Sequence, residues 1–120
     1  MSALDQTLSA LADPTRRKIV DHLRQRPRRA GELATRMRIS PPALSRHLRV
    51  LRKNGLIEEQ RGDEDARVRV YRLRRKPFRD LNGWLADVEA LWTEQLSGFK
   101  EHAEKTRPRA KPALKERRNG

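Results

Sequence analysis

One stretch holds most of the chemistry that this chain can do: Ser40-Pro41-Pro42-Ala43-Leu44-Ser45-Arg46-His47-Leu48-Arg49-Val50-Leu51. Leu44, Leu48 and Leu51 recur at the i, i+4, i+7 spacing of one buried helix face. The opposite face then shows Pro42, Ala43, Ser45, Arg46, Arg49 and Lys53. Short residues near the N-terminal end let such a helix enter a DNA major groove closely. Arg46 is long enough to offer two donors to guanine O6 and N7, and Ala43 could touch a thymine methyl. Arg49, Arg52 and Lys53 lie farther along and suit phosphates. Ser40 is placed to cap the helix, whose N-terminus is expected to add backbone N–H donors toward phosphate. His47 borders the leucine stripe; a packed histidine, a backbone contact and a base contact all fit it. A basic helix face can also be merely solvated, so no single arginine decides the matter.

The chain is equally informative in what it lacks. With no cysteine, it has no disulfide, thiolate metal site or thiol nucleophile. Paired carboxylates, a metal-ligand cluster and a glycine-rich phosphate loop are missing. His22, His47 and His102 fall on three separate predicted helices. Catalysis, a cofactor and a bound metal are therefore not expected. No run of 18 apolar residues occurs and Met1 to Ala12 does not read as a signal peptide, so the expected location is cytoplasmic, with no membrane partner.

Charge points to a polyanion. The 120 residues hold 29 Lys+Arg against 16 Asp+Glu, net +13. Residues 1–60 hold 13 basic and 6 acidic residues, residues 61–106 hold 10 and 9, and residues 107–120 hold 6 and 1. Residues 106–120 have too few apolar side chains to bury a face and read as a disordered basic tail that adds grip without specificity. The folded domain is then about residues 2–105. At 35% apolar residues, a domain this short gains stability by pairing with a copy of itself.

The positioning elements follow from period and caps. Ser2 to Ala12 reads as a helix with Leu4, Leu8 and Leu11, and Asp13-Pro14 starts a second helix to about Leu23. Gln25 to Arg29 reads as a loop, Ala30 to Met37 as a short helix, and Pro41 to Lys53 as the helix above. Asn54-Gly55 stops it. Leu56–Arg61 and Arg67–Leu73 read as a hairpin around the acidic tip Asp63-Glu64-Asp65. Its strand arginines Arg61, Arg67, Arg69 and Arg72 could lie along a DNA backbone; the plainer reading is an edge kept soluble by charge. Pro77 to Glu104 reads as a last helix, about 42 Å long at about 1.5 Å per residue. That exceeds the ~26 Å across a compact domain of about 100 residues. Trp84, Leu85, Val88, Leu91, Trp92, Leu96 and Phe99 line it, and the leucines of the first helix join them as the expected dimer surface. A helix packed only on its own subunit is the alternative. The fold expected is mainly α with a small β-hairpin wing (α+β), a winged helix-turn-helix forming a homodimer.

These segments resemble the ArsR/SmtB-type winged-helix repressors. Leu11-Ala12-Asp13-Pro14-Thr15-Arg16, Gly31-Glu32-Leu33-Ala34, Ser45-Arg46-His47-Leu48-Arg49-Val50-Leu51, Asn54-Gly55-Leu56-Ile57 and Val70-Tyr71-Arg72-Leu73 carry the likeness, over about residues 8–100. The C-terminal helix is similar to a metal-independent, autorepressor-like branch. The resemblance implies a homodimeric repressor that covers a palindromic double-stranded operator, of its own or a neighbouring operon. Metal-sensing members of that family place Cys-x-Cys where this chain has Arg29 and Gly31. Its C-terminal helix offers Asp87, Glu89, Glu94, Glu104 and a single histidine, His102. Pro41 and Ala43 stand where the family often has Gln and Thr. The competing reading is a sequence-independent architectural or RNA-binding protein.

Overall fold

The computed structural model describes residues 1–62, 65 and 67–104, the side chains of 97 and 99–104 excepted. The hairpin tip at Asp63 and Glu64, the Phe99 and His102 side chains, and the proposed tail at 106–120 lie outside the described residues. The elements are α1 (Ala3–Leu11), α2 (Pro14–Gln25), β1 (Arg28–Arg29), α3 (Ala30–Met37), α4 (Pro41–Lys53), β2 (Ile57–Arg61), β3 (Arg69–Leu73) and α5 (Arg75–Glu104). This is the mainly helical, winged helix-turn-helix pattern. The chain divides into two compact units, Met1–Trp84 and Leu85–Gly120.

Local chemistry sets the helix starts. Ser2 Oγ accepts from the Asp5 N–H and the Asp5 carboxylate accepts from the Ser2 N–H, both at 3.1 Å, a reciprocal cap for α1. Asp13 caps α2 by accepting from the N–H groups of Thr15 and Arg16 at 2.7 and 3.1 Å. Those bonds, the Arg16 one first, hold its carboxyl below the usual range. Arg16 and Arg17 then reach back to the Ala10 and Leu11 carbonyls at 2.7 Å, satisfying the end of α1. On α1 the residues turned into the core are Thr7 and Ala10, while Leu8 is exposed and Leu4 and Leu11 are half-buried.

The core of the first unit gathers Ile19 and Leu23 from α2, Leu33 from α3, Leu44, Leu48 and Leu51 from α4, then Leu56, Ile57 and Tyr71. The hairpin pairs antiparallel from Ile57↔Leu73 to Arg61↔Arg69. The structure corrects the segment read as a loop. Arg28 and Arg29 form a short strand on the far edge of β3, with Arg28 opposite Tyr71 and Arg29 opposite Val70, so the sheet order is β1-β3-β2. Two consecutive arginines carry no strand pattern; the partner strand imposes the conformation. α5 also begins two residues before Pro77. Proline is tolerated there because the first turn's N–H groups have no partner within the helix. Among the described residues no helix is long and apolar enough to cross a membrane.

Arg28 is buried, at 4% exposure. Its guanidinium donates to the His22 carbonyl at 3.0 Å, the Gln25 side chain at 2.7 Å and Glu32 at 2.6 Å. Glu32, on α3, also accepts from Arg26 at 2.5 Å and Arg36 at 3.1 Å. The carboxylate therefore ties the end of α2, β1 and α3 together. Hydrogen bonding from Arg28, then from Arg26, holds its carboxyl below the ordinary value of 4.5. A depressed folded-state pKa stabilises the fold above that ordinary value, and the gain is lost as pH falls through the lowered one. Glu32→Gln is expected to lower the urea midpoint at pH 7, with the gap to wild type closing as pH drops below about 4. Parallel midpoints from pH 7 down to pH 3 would show that Glu32 does not carry this linkage.

Candidate nucleic-acid interface

The two helices of the reading unit meet through a tight turn. Arg38 adopts a left-handed conformation, φ 57°, and the Ile39 N–H returns to the Ala34 carbonyl at 3.2 Å, ending α3. Ser40 then starts α4, its Oγ accepting from the Ala43 N–H at 3.2 Å. Leu44, Leu48 and Leu51 are buried, which turns Pro42, Ser45, Arg46, Arg49, Arg52 and Lys53 outward; all six are exposed. Ala43 and His47 are half-buried at the border.

One expectation changes here. The start of α4 was expected to donate backbone N–H groups to phosphate. Pro41 and Pro42 have no N–H, the Ala43 N–H is taken by Ser40 Oγ, and the Leu44 N–H by the Ser40 carbonyl at 2.9 Å. This end of the helix therefore presents shape and apolar surface. Its cationic grip begins at Arg46.

The cations divide into two sets. Arg46, Arg49 and Lys53 form no ion pair or side-chain hydrogen bond among the described residues. Arg52 instead pairs with Glu59 at 2.9 Å. The same carboxylate holds Arg69 of β3 at 2.8 Å. Arg72 pairs with Glu58 at 2.6 Å, and Arg67 with Asp65 at 3.3 Å. Arg61 and Arg69 stand directly opposite each other across the hairpin, and both are exposed. Like charges so placed repel and oppose pairing. Hence the wing arginines named from the sequence are on the surface, but Arg67, Arg69 and Arg72 are already engaged by carboxylates.

Sequence reasoning missed Glu59, whose partners lie on other elements, and the Glu32 anchor, although the i, i+4 runs Arg28–Glu32 and Glu32–Arg36 were its visible signal. It also missed a second basic surface. Arg24, Arg26, Arg72, Arg74, Arg75, Lys76 and Arg79 surround a shallow depression of about 740 Å³. Folding gathers these cations from the end of α2 and the residue after it, from β3 and from the start of α5, with Glu58 among them. Among the described residues no group of three His, Asp or Glu side chains could hold a metal ion.

On the other expected surface, Leu8, Trp84, Leu85, Val88, Leu91, Trp92 and Leu96 are all exposed. Leu91 and Trp92 reach 61% and 60%.

Comparison with known proteins agrees with this geometry. Residues 13–59 match the model of the bacterial regulatory proteins of the arsR family. The chain is 38% identical over 98 residues to the HTH-type transcriptional regulator Rv2034 of Mycobacterium tuberculosis, covering 79% of this chain and 83% of that one. It is 38% identical over 58 residues to the transcriptional repressor SdpR of Bacillus subtilis, covering 48% and 64%. A crystal structure of an ArsR family transcriptional regulator superposes with a TM-score of 0.68 at 32% identity, over 77% of this chain and 98% of the other. An ArsR-like transcriptional regulator from Rhodococcus sp. RHA1 gives 0.68 at 29% identity, over 84% and 92%.

The joint between α4 and the wing is Gly55, at φ +80°. Arg74 Nη1 donates to its carbonyl at 2.9 Å and lies 3.1 Å from where a Cβ would sit. Gly55→Ala is expected to destabilise the fold by about 1–2 kcal/mol through the left-handed backbone alone. Urea unfolding checks this, and an unchanged midpoint would mean that the joint carries no strain.

Proposed function

Since the chain belongs to the ArsR family of bacterial transcriptional regulators, we propose that it acts as a homodimeric repressor that covers a palindromic operator of its own or a neighbouring operon. It is a sequence-specific DNA-binding regulator. The observation that carries the finer reading is the outward face of α4, where Arg46, Arg49 and Lys53 stand exposed and without partners among the described residues. Cations left unpaired beside small side chains, on a helix held by three buried leucines, suit a major groove. Arg46 would read a base edge, with Ser45 and Ala43 beside it. Arg49 and Lys53 would hold phosphates, and Ser40, Pro42, His47, Arg52 and the wing residues Arg61, Arg67 and Arg69 would flank the contact.

The exposed apolar residues support a second copy as partner. Large side chains such as Leu91 and Trp92 are rarely left in water as a continuous stripe. Two copies related by a two-fold axis would place their reading helices on half-sites about 10–10.5 bp apart, or a multiple of that. Metal plays no step in this reading. Arg29 and Gly31 stand where metal-sensing relatives carry their cysteine pair, and neither ligates a metal.

Selection of bound duplexes from a random pool identifies the operator. On it, Arg46→Ala is expected to cost about 1–3 kcal/mol and to relax preference at one base position. Equal affinity of wild type for operator and random DNA would favour the architectural alternative. For the dimer, Leu91→Glu combined with Trp92→Glu is expected to give a folded monomer in sedimentation equilibrium. A dimer of unchanged strength would remove α5 from the interface.

A further inference from the structure

Among the described residues, Glu59 is the one carboxylate that holds an arginine of the reading helix and an arginine of the wing together. Its Oε1 lies 2.9 Å from Arg52 of α4 and its Oε2 lies 2.8 Å from Arg69 of β3. The Glu59 side chain is only 13% exposed, whereas Arg52 and Arg69 are 49% and 53% exposed. The acid is fixed in the sheet opposite Tyr71, and the two bases lean onto it from either side. Each arginine meets the carboxylate through Nη1, which leaves further guanidinium donors for another oxyanion.

We propose that Glu59 is a specificity-determining residue of the DNA interface, one that joins α4 to the wing and holds back two cations from indiscriminate phosphate binding. Two physical effects act in the same direction. The single negative charge reduces the local charge of the Arg52–Arg69 pair from +2 to +1, which weakens the sequence-independent part of binding. The bridge also makes the wing move with α4. Arg69 can then follow the backbone only where α4 is seated, and seating depends on the base contacts of Arg46. A random duplex meets two arginines whose charge is partly offset by a carboxylate. An operator meets a reading helix and wing set at one angle.

The neighbouring Glu58 provides the control. It pairs with Arg72 across the same strands at 2.6 Å and forms no ion pair with α4 among the described residues. Removing it adds the same unit of net charge without cutting a link to the reading helix.

The test measures binding to operator and to random duplex across a salt series, for wild type, Glu59→Gln and Glu58→Gln, with urea midpoints confirming that each is folded. Glu59→Gln is expected to tighten random-duplex binding several-fold. It should steepen the log–log salt dependence by about 1–2, since each phosphate neutralised adds about 0.9. The operator-to-random ratio should fall several-fold as well. Glu58→Gln should leave that ratio near the wild-type value. A Glu59→Gln protein with wild-type salt slope and ratio overturns the proposal, as does an equal change in both variants, which would assign the effect to net charge. The inference rests on α4 and the hairpin forming the duplex-binding surface. A wild-type chain that binds no duplex would remove both readings, whereas wild-type binding with unaltered Glu59→Gln behaviour removes this one alone.

Discussion

Burial of Leu44, Leu48 and Leu51 is the constraint from which the interface follows. A fully buried leucine contributes about 1.5–3 kcal/mol, and successive helix residues point about 100° apart. Rotating α4 by one residue would bring an arginine or serine into the core and expose leucine. The three leucines thus set the rotation of the helix, and that rotation decides that Arg46, Arg49 and Lys53 face outward together. The specificity of the face is a by-product of an apolar seam on the other side.

Charge does three different jobs in this small chain. At Arg28 and Glu32 it is internal mortar: a buried guanidinium each of whose three nitrogens donates to a protein oxygen. At Glu59 it joins two elements of one surface. On the outer face of α4 it is left without partners among the described residues. Net charge alone does not separate these roles; distance and burial do. The region from Arg72 to Arg79 makes the same point: Arg72 and Lys76 are paired with Glu58 and Asp80, at 2.6 and 2.8 Å, which a count of charge along the chain does not show.

Much of this was legible from residue order, and the reasons are local. α4 begins and ends where its caps say, because Ser40, Pro41, Asn54 and Gly55 act on the backbone within a few residues. The outward face of α4 and the exposed stripe of α5 follow from periodicity, which is also local. What remained hidden depends on distant partners. β1 exists because β3 lies beside it, not because Arg28-Arg29 favours a strand. Arg28 is buried although arginine is normally exposed, because three acceptors from separate positions converge on it. Glu59 looks like one more polar strand residue until the fold brings Arg52 and Arg69 to it.

The paired prolines at the start of α4 have a consequence for the thermodynamics of recognition. Two pyrrolidine rings hold the backbone at the entry of the reading helix near a helical φ before any partner arrives. Little conformational entropy is then left to lose there on association, and that end behaves as a rigid wedge. A wedge without backbone donors discriminates by fit against methyl groups and groove width. Evolution of a new operator preference in this protein would therefore run through the side chains from Ala43 to Arg49, on an entry whose shape is already set.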